Sequence, residues 1–515
     1  MPSTSPARAR FAPSPTGRFH IGGARTALYD FLLARQTAGQ FILRIEDTDR
    51  KRFDPQAERE MMDSLHWLGI EWDEGPDVGG PCAPYRQSER KAIYQRYADE
   101  LVQRGHAYAC FCSSEQLAQM RQEQQKHKQP PRYNGLCRAL APSAAQARID
   151  AGEPHVIRLK TPQEGQTTAV DLIRGPITVE NAEIDDYILM KSDGLPVYHL
   201  AAMVDDREMN ITHVLRSSEW LPTFPLHVLI YQALEWPQPS WVHLSVFLNP
   251  SGKGKMSKRH AVDPKGGVAS IFPLDMRDEG YLPEAVVNWL ALMGWSYDDH
   301  TELFGMSELV DKFSLAKLTP SPAAVNFGKL DHFNGVYIRG LADAELARRV
   351  QPFFARAKLQ ADAKRLEHIA PLIRERIRTL GEAVDIAGFF FRDDVQPADD
   401  QLLGKDMDPA RAATAARRSA AAIEAAPSIG EGLEVSLRSL AEELGLSAGQ
   451  LFGVLRLAVT GQPVSPPLLE SMAIIGKPTV LARVTAVAAR LEASPADVGR
   501  PPMGMVESAA RWGFV

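Results

Sequence analysis

Phe41-Ile-Leu-Arg-Ile-Glu46 reads as a strand whose last polar residues fall two apart in an apolar run. On a pleated strand Arg44 and Glu46 share one face, opposite Phe41, Leu43 and Ile45. That aims Glu46 at a site near the strand's C-terminal end. Earlier in the chain, Ala24, Leu28, Phe31 and Leu32 recur at helical spacing and predict an amphipathic helix from Ala24 to Arg35. The short apolar piece Arg10-Phe-Ala before it predicts another strand. The first 85 residues therefore read as strand, helix, strand, helix, the opening of a βαβ unit.

A polar stretch, Gly79-Gly-Pro-Cys-Ala-Pro84, is followed by a charged, helix-rich region to about residue 150. Within it Gln119 to Pro131 is Gln/Lys-rich and predicts a mobile surface segment. Val156-Ile-Arg-Leu-Lys is a further strand in a β-rich region reaching Tyr187, and Tyr198 through Trp241 returns to alternating helix and strand. Beyond Lys255-Met-Ser-Lys-Arg259 the pattern is almost wholly helical, with a polar linker from Asp393 to Asp400 and Ala-rich helices from about Ala410. No internal repeat is visible. The longest apolar stretch, Val286 to Trp295, contains Asn288 and is too short to span a bilayer.

With 515 residues, 44% of them hydrophobic, the chain can build more than one sizeable core. A net charge of −6 argues against a polyanion spread over the whole surface. Local basic clusters are present nonetheless, at Lys253, Lys255, Lys258 and Arg259 and at Lys364, Arg365, Arg374, Arg376 and Arg378. Four cysteines are too few for a disulfide scaffold. No apolar leader opens the chain, and site-forming residues begin near Arg10, so a cytoplasmic enzyme is expected.

Two distant stretches carry the chemistry. Pro13-Ser-Pro-Thr-Gly-Arg-Phe-His-Ile-Gly-Gly23 sits at a strand-to-helix turn, where free N–H groups and the helix dipole attract phosphate. Gly22 and Gly23 would let a ligand approach the backbone. Lys255-Met-Ser-Lys-Arg259 places cations on a Gly-rich loop, suited to neutralising phosphoryl charge. Alone, the first is more often a plain turn and the second more often a solvated surface run.

Together they resemble the paired signatures of class I aminoacyl-tRNA synthetases. Arg10-Phe-Ala-Pro-Ser-Pro-Thr-Gly17, Arg44-Ile-Glu-Asp-Thr-Asp49, Glu71-Trp-Asp-Glu-Gly-Pro76, Val204-Asp-Asp206 and Ile211-Thr-His-Val-Leu-Arg216 narrow the resemblance to the bacterial glutamyl-tRNA synthetase family. It runs over nearly the whole chain. It implies an α/β, Rossmann-type parallel-sheet catalytic domain split by an inserted acceptor-binding subdomain, followed by an all-helical anticodon-binding region. The implied boundaries are 1–85 and 201–250 for the Rossmann halves, 86–200 for the insertion, 251–332 for a stem-contact region with the lysine loop, and 333–515 for the helical region.

The implied reaction joins L-glutamate to tRNA(Glu) through glutamyl-adenylate, with ATP and Mg2+. It requires placement and charge neutralisation rather than a protein nucleophile. The resemblance assigns His20, Lys255 and Lys258 to catalysis, and His20, Gly22, Gly23, Glu219, Trp220 and Lys258 to ATP. Arg10, Ser14, Glu46, Tyr198 and Arg216 are assigned to glutamate. Arginines suit that substrate because their planar fork grips carboxylates. Two places depart from the family pattern: Gly23 stands where the class signature has a second histidine, and Ala202 where an asparagine is common. Arg374 and Arg376 would meet the anticodon, Arg376 disfavouring tRNA for glutamine.

Cys110, Cys112 and Cys137 resemble a zinc knuckle whose fourth ligand would be Tyr133, His127 or water, Ala139 standing where many relatives have histidine. Three buried, unmetallated cysteines remain the alternative. A monomer without membrane attachment is expected. The competing functional reading is a tRNA-binding paralogue, or a tRNA-modifying glutamyl transferase, without standard charging activity.

Overall fold

Strand β1 (Arg8–Phe11) and helix α1 (Ile21–Gln36) form where the periodicity places them, in a computed structural model describing residues 5–256, 261–262, 268–397, 399–402 and 407–493. Helix α1 is not amphipathic: every residue from Ala27 to Ala34 is buried, Asp30 included. The sheet and the helices Pro283–Ala291 and Met306–Lys312 all pack on it, which leaves it no solvent face. Strand β2 (Gln40–Leu43) pairs parallel with β1, Phe11 opposite Leu43. Helix α2 (Pro55–Trp67) then starts on an Asp54 cap that accepts the Gln56 N–H at 2.9 Å.

Helix α3 (Lys91–Gln103) leads into β3 (Ala107–Cys110) and α4 (Ser114–Lys126). The segment expected to be mobile from Gln119 is helical through Lys126. Ser113 and Gln116 close a capping box at its start, and the helix buries no residue. After α5 (Pro142–Asp150) come β4 (Val156–Leu159), β5 (Gln166–Asp171), β6 (Gly175–Glu180) and β7 (Ile188–Met190). Then α6 (Tyr198–Glu208), β8 (His213–Ser217), α7 (Phe224–Ala233) and β9 (Ser240–Leu244) complete the part that bears on the site.

The main sheet has the order β2-β1-β8-β9-β5-β6, parallel from β2 to β5, with β6 antiparallel at the edge. Strands β3, β4 and β7 form a separate antiparallel sheet. The β5–β6 hairpin thus belongs to the main sheet, although it lies inside the stretch expected to be an insertion. Alternation along β5 buries Thr167, Ala169 and Asp171, and Asp171 accepts the backbone N–H of His243 on β9 at 2.8 Å. Periodicity marks such a hairpin but not the sheet it joins.

The chain divides into two compact units, Met1–Tyr337 and Ile338–Val515. The second is helical among its described residues, including Asp343–Arg356, Ala363–Ile373, Pro409–Ala425 and Lys477–Ala493. No single described helix is long and apolar enough to cross a membrane.

Candidate active site

The C-terminal ends of β1, β2 and β8 open onto a cavity of about 970 Å³, the usual place for a ligand in an open α/β sheet. Arg10, Ser14, Glu46, Tyr198 and Arg216, far apart in sequence, all line it. Trp220 lines it too, its ring stacked on Tyr198 at 3.9 Å and 24°. Arg50, Lys51, Arg52 and Lys191 add positive charge to its lining.

Beneath it lies a buried charge network. Arg10 grips Asp206 through Nε (2.9 Å) and Nη2 (3.4 Å) and donates through Nη1 to the Leu215 carbonyl at 3.3 Å. Arg44, wholly buried, donates to Asp206 at 2.7 Å and to Glu46 at 3.0 Å, and stands 3.6 Å from Asp205. Arg90 binds Asp205 at 2.7 Å. Burial pushes the Glu46 carboxyl up to about 7 against the pull of Arg44 and Arg10. Asp206 sits below its ordinary value although burial acts to raise it, because Arg10 and Arg44 hold it ionised.

Arg216 differs from these arginines in meeting no carboxylate among the described residues. Its Nε donates to His243 Nε2 (2.9 Å), Nη2 to His227 Nδ1 (3.0 Å) and Nη1 to the Tyr198 hydroxyl (3.3 Å). His243 Nδ1 in turn donates to Asp171 at 2.8 Å, and His227 Nε2 lies 3.0 Å from His199 Nδ1. Burial is the leading cause that pushes His199 and His243 down to about 4, and His227 well below its ordinary range. Burial also lowers Arg216.

A smaller cavity of about 240 Å³ adjoins the first through shared wall residues Thr26 and Ser217. His20, Gly22, Gly23, Glu219 and Lys255 line it. His20 is the N-cap of α1: its Nδ1 accepts the Gly22 N–H at 3.0 Å, which places the ring proton on Nε2 as a donor. At Gly23 a Cβ would stand 2.6 Å from the Phe19 ring, so the second histidine of the class signature would need that ring to shift. Lys255 is ion-paired with Glu219. Lys258 lies outside the described residues.

The three cysteines converge as well, their sulfurs all within 4.8 Å of one another. Cys112 and Cys137 stand 3.7 Å apart, and the Tyr133 hydroxyl is 3.3 Å from Cys110 and 3.4 Å from Cys112. Zinc–sulfur bonds of about 2.3 Å put neighbouring sulfurs about 3.8 Å apart on a tetrahedron, so this donor set fits zinc. His127 is exposed at the end of α4. In the helical unit Arg374 is ion-paired with Asp343, while Arg376 is exposed and makes no ion pair among the described residues.

Sequence reasoning assigned no role to Arg44, Asp171, Asp205, Asp206, His227 or His243. The available signal was a polar residue inside an apolar run: Leu200 to Val204 before the two aspartates, Phe224 to Tyr231 around His227, Trp241 to Leu244 around His243.

A parallel sheet with a capped strand-to-helix turn, Lys255 beside it and two adjoining cavities at the C-terminal ends of the strands defines a class I synthetase catalytic unit. Residues 6–332 match the model for the catalytic domain of class I tRNA synthetases (E and Q), and 345–488 match an anticodon binding domain. The chain belongs to that E and Q family. Glutamate–tRNA ligases of Dehalococcoides mccartyi and Roseiflexus castenholzii are 44% and 46% identical to it, covering 96% of this chain and 100% and 98% of theirs. A crystal structure of a glutamate tRNA ligase from Elizabethkingia meningosepticum, in complex with its amino acid, superposes with TM-score 0.85 at 36% identity. It covers 95% of this chain and 100% of that one.

Proposed function

We propose that this chain is a glutamate–tRNA ligase, joining L-glutamate to tRNA(Glu) through glutamyl-adenylate. The observation that carries this reading is Arg216, a buried cation on the wall of the larger cavity that meets no carboxylate among the described residues. A buried charge left so open to a ligand calls for an anion. Arg216 and Arg10 bind the substrate's carboxylates, Glu46 its ammonium, and Ser14 and Tyr198 complete the pocket.

The α-carboxylate oxygen attacks the α-phosphorus of ATP across the wall shared by the two cavities, and pyrophosphate leaves. His20 donates Nε2–H to a phosphate oxygen, and Lys255 and Lys258 neutralise charge that grows on the leaving group. Gly22, Gly23, Glu219 and Trp220 would hold the nucleotide, and the Mg2+ that accompanies ATP would supply further charge neutralisation at its phosphates. The adenylate's carbonyl is then taken by a ribose hydroxyl of the tRNA, releasing AMP. In this reading the acceptor end meets the 86–200 stretch, and the anticodon meets the 333–515 region through Arg374 and Arg376. Cys110, Cys112 and Cys137, with Tyr133 beside them, would hold a structural zinc, which would tie β3 to the loop around Cys137.

Charging of purified tRNA(Glu) and tRNA(Gln) with labelled glutamate, with and without ATP, tests this. ATP-dependent charging of tRNA(Glu) alone is expected. No charging of either by folded protein overturns the reading and puts a tRNA-binding paralogue in its place.

A further inference from the structure

Among the described residues, every hydrogen bond that Arg216 makes goes to a group without negative charge. Around the same cavity Arg10, Arg44 and Arg90 each meet Asp205 or Asp206. The contrast extends to the partners of those acceptors. His243 can accept from Arg216 only while its proton sits on Nδ1, and Asp171 fixes it there at 2.8 Å. His227 must accept on Nδ1, so its proton sits on Nε2 and is donated to His199 Nδ1. Two relays of fixed tautomer therefore end on one guanidinium. A guanidinium has about five N–H donors. Three are engaged, on His243, His227 and Tyr198, which leaves two for a ligand in the cavity Arg216 lines.

We propose that His227 and His243 are positioning residues that fix the fork of Arg216 with neutral acceptors, leaving its positive charge unspent so that the pocket takes an acidic side chain and rejects its amide. The proposal rests on the reading that Arg216 binds the substrate. Arg216 lines the larger cavity and not the smaller one, toward which the reacting α-carboxylate must point, so its fork serves the side-chain carboxylate. A carboxylate in place of either histidine would cancel the charge and remove the preference for glutamate over glutamine.

The test uses amide substitutions in the full-length protein, because asparagine and glutamine place their carbonyl oxygen differently. Glutamine puts it near the position of Nε2, asparagine near that of Nδ1. At position 243, where Nε2 accepts, His243→Gln should keep the KM for glutamate within about threefold, and His243→Asn should raise it about tenfold or more. At position 227, where Nδ1 accepts, the order should reverse, His227→Asn being mild and His227→Gln severe. The KM for ATP should stay within about twofold throughout, and the severe variants should lose discrimination against glutamine as a competitor. Equal effects of the two amides at both positions, or a parallel rise in both KM values, would overturn the proposal. Arg216→Leu separates the levels: an unchanged KM for glutamate there sinks the substrate reading itself. A large rise there with indifferent histidine variants sinks only the positioning role.

Discussion

His199 and His243 titrate near 4 when folded, against about 6.5 in an unfolded chain, and His227 is lowered further still. The unfolded chain then binds more protons between those values, so stability falls as pH drops through that window. Glu46 acts in the opposite sense. Its folded value of about 7 exceeds the unfolded 4.5, so the folded chain binds the extra proton there and stability falls as pH rises toward 7. Glu46→Gln removes this opposing contribution. Urea unfolding of that variant should show stability rising more steeply between about pH 4.5 and 6.5 than in the parent. A shallower rise would mean that Glu46 is ionised throughout.

Among the strands and helices, β1, β2 and the turn at His20 were legible in the sequence, because periodicity and a capping residue are local signals. The alternation that aimed Glu46 inward also put Arg44 on the same face, and both end in one network. What stayed hidden depends on pairing at long range. Nothing within β5 says that it lies beside β9, or that Asp171 meets His243. The cysteines and Tyr133 as a candidate fourth ligand were legible, but the choice among Tyr133, His127 and water was not, since Tyr133 joins Cys110 and Cys112 only once β3 and the following loop are folded together. Purified protein should carry about one zinc per chain by elemental analysis, and Cys112→Ser should lose it and lower the melting temperature. Metal-free parent protein with an unchanged melting temperature would leave the cysteines as plain core.

Across the chain as a whole, the two units carry separate tasks in the proposed reading: chemistry in Met1–Tyr337 and tRNA choice in Ile338–Val515. Arg376, exposed and unpaired among the described residues, offers its charge to solvent. Arg376→Gln should let tRNA(Gln) be charged measurably while leaving charging of tRNA(Glu) within about threefold, read in the same charging assay. Continued rejection of tRNA(Gln) would place discrimination elsewhere.

The β5–β6 hairpin reaches the cavity through no residue of its own, yet Asp171 sets the proton of His243 and so the aim of Arg216. The outer margin of the sheet is in this way a thumb on the scale at the substrate's end. Loosening those two strands must weaken the grip on an acidic ligand. By reciprocity, the bound anion must tighten the strands, so the fold's edge and its taste for charge are two faces of a single equilibrium.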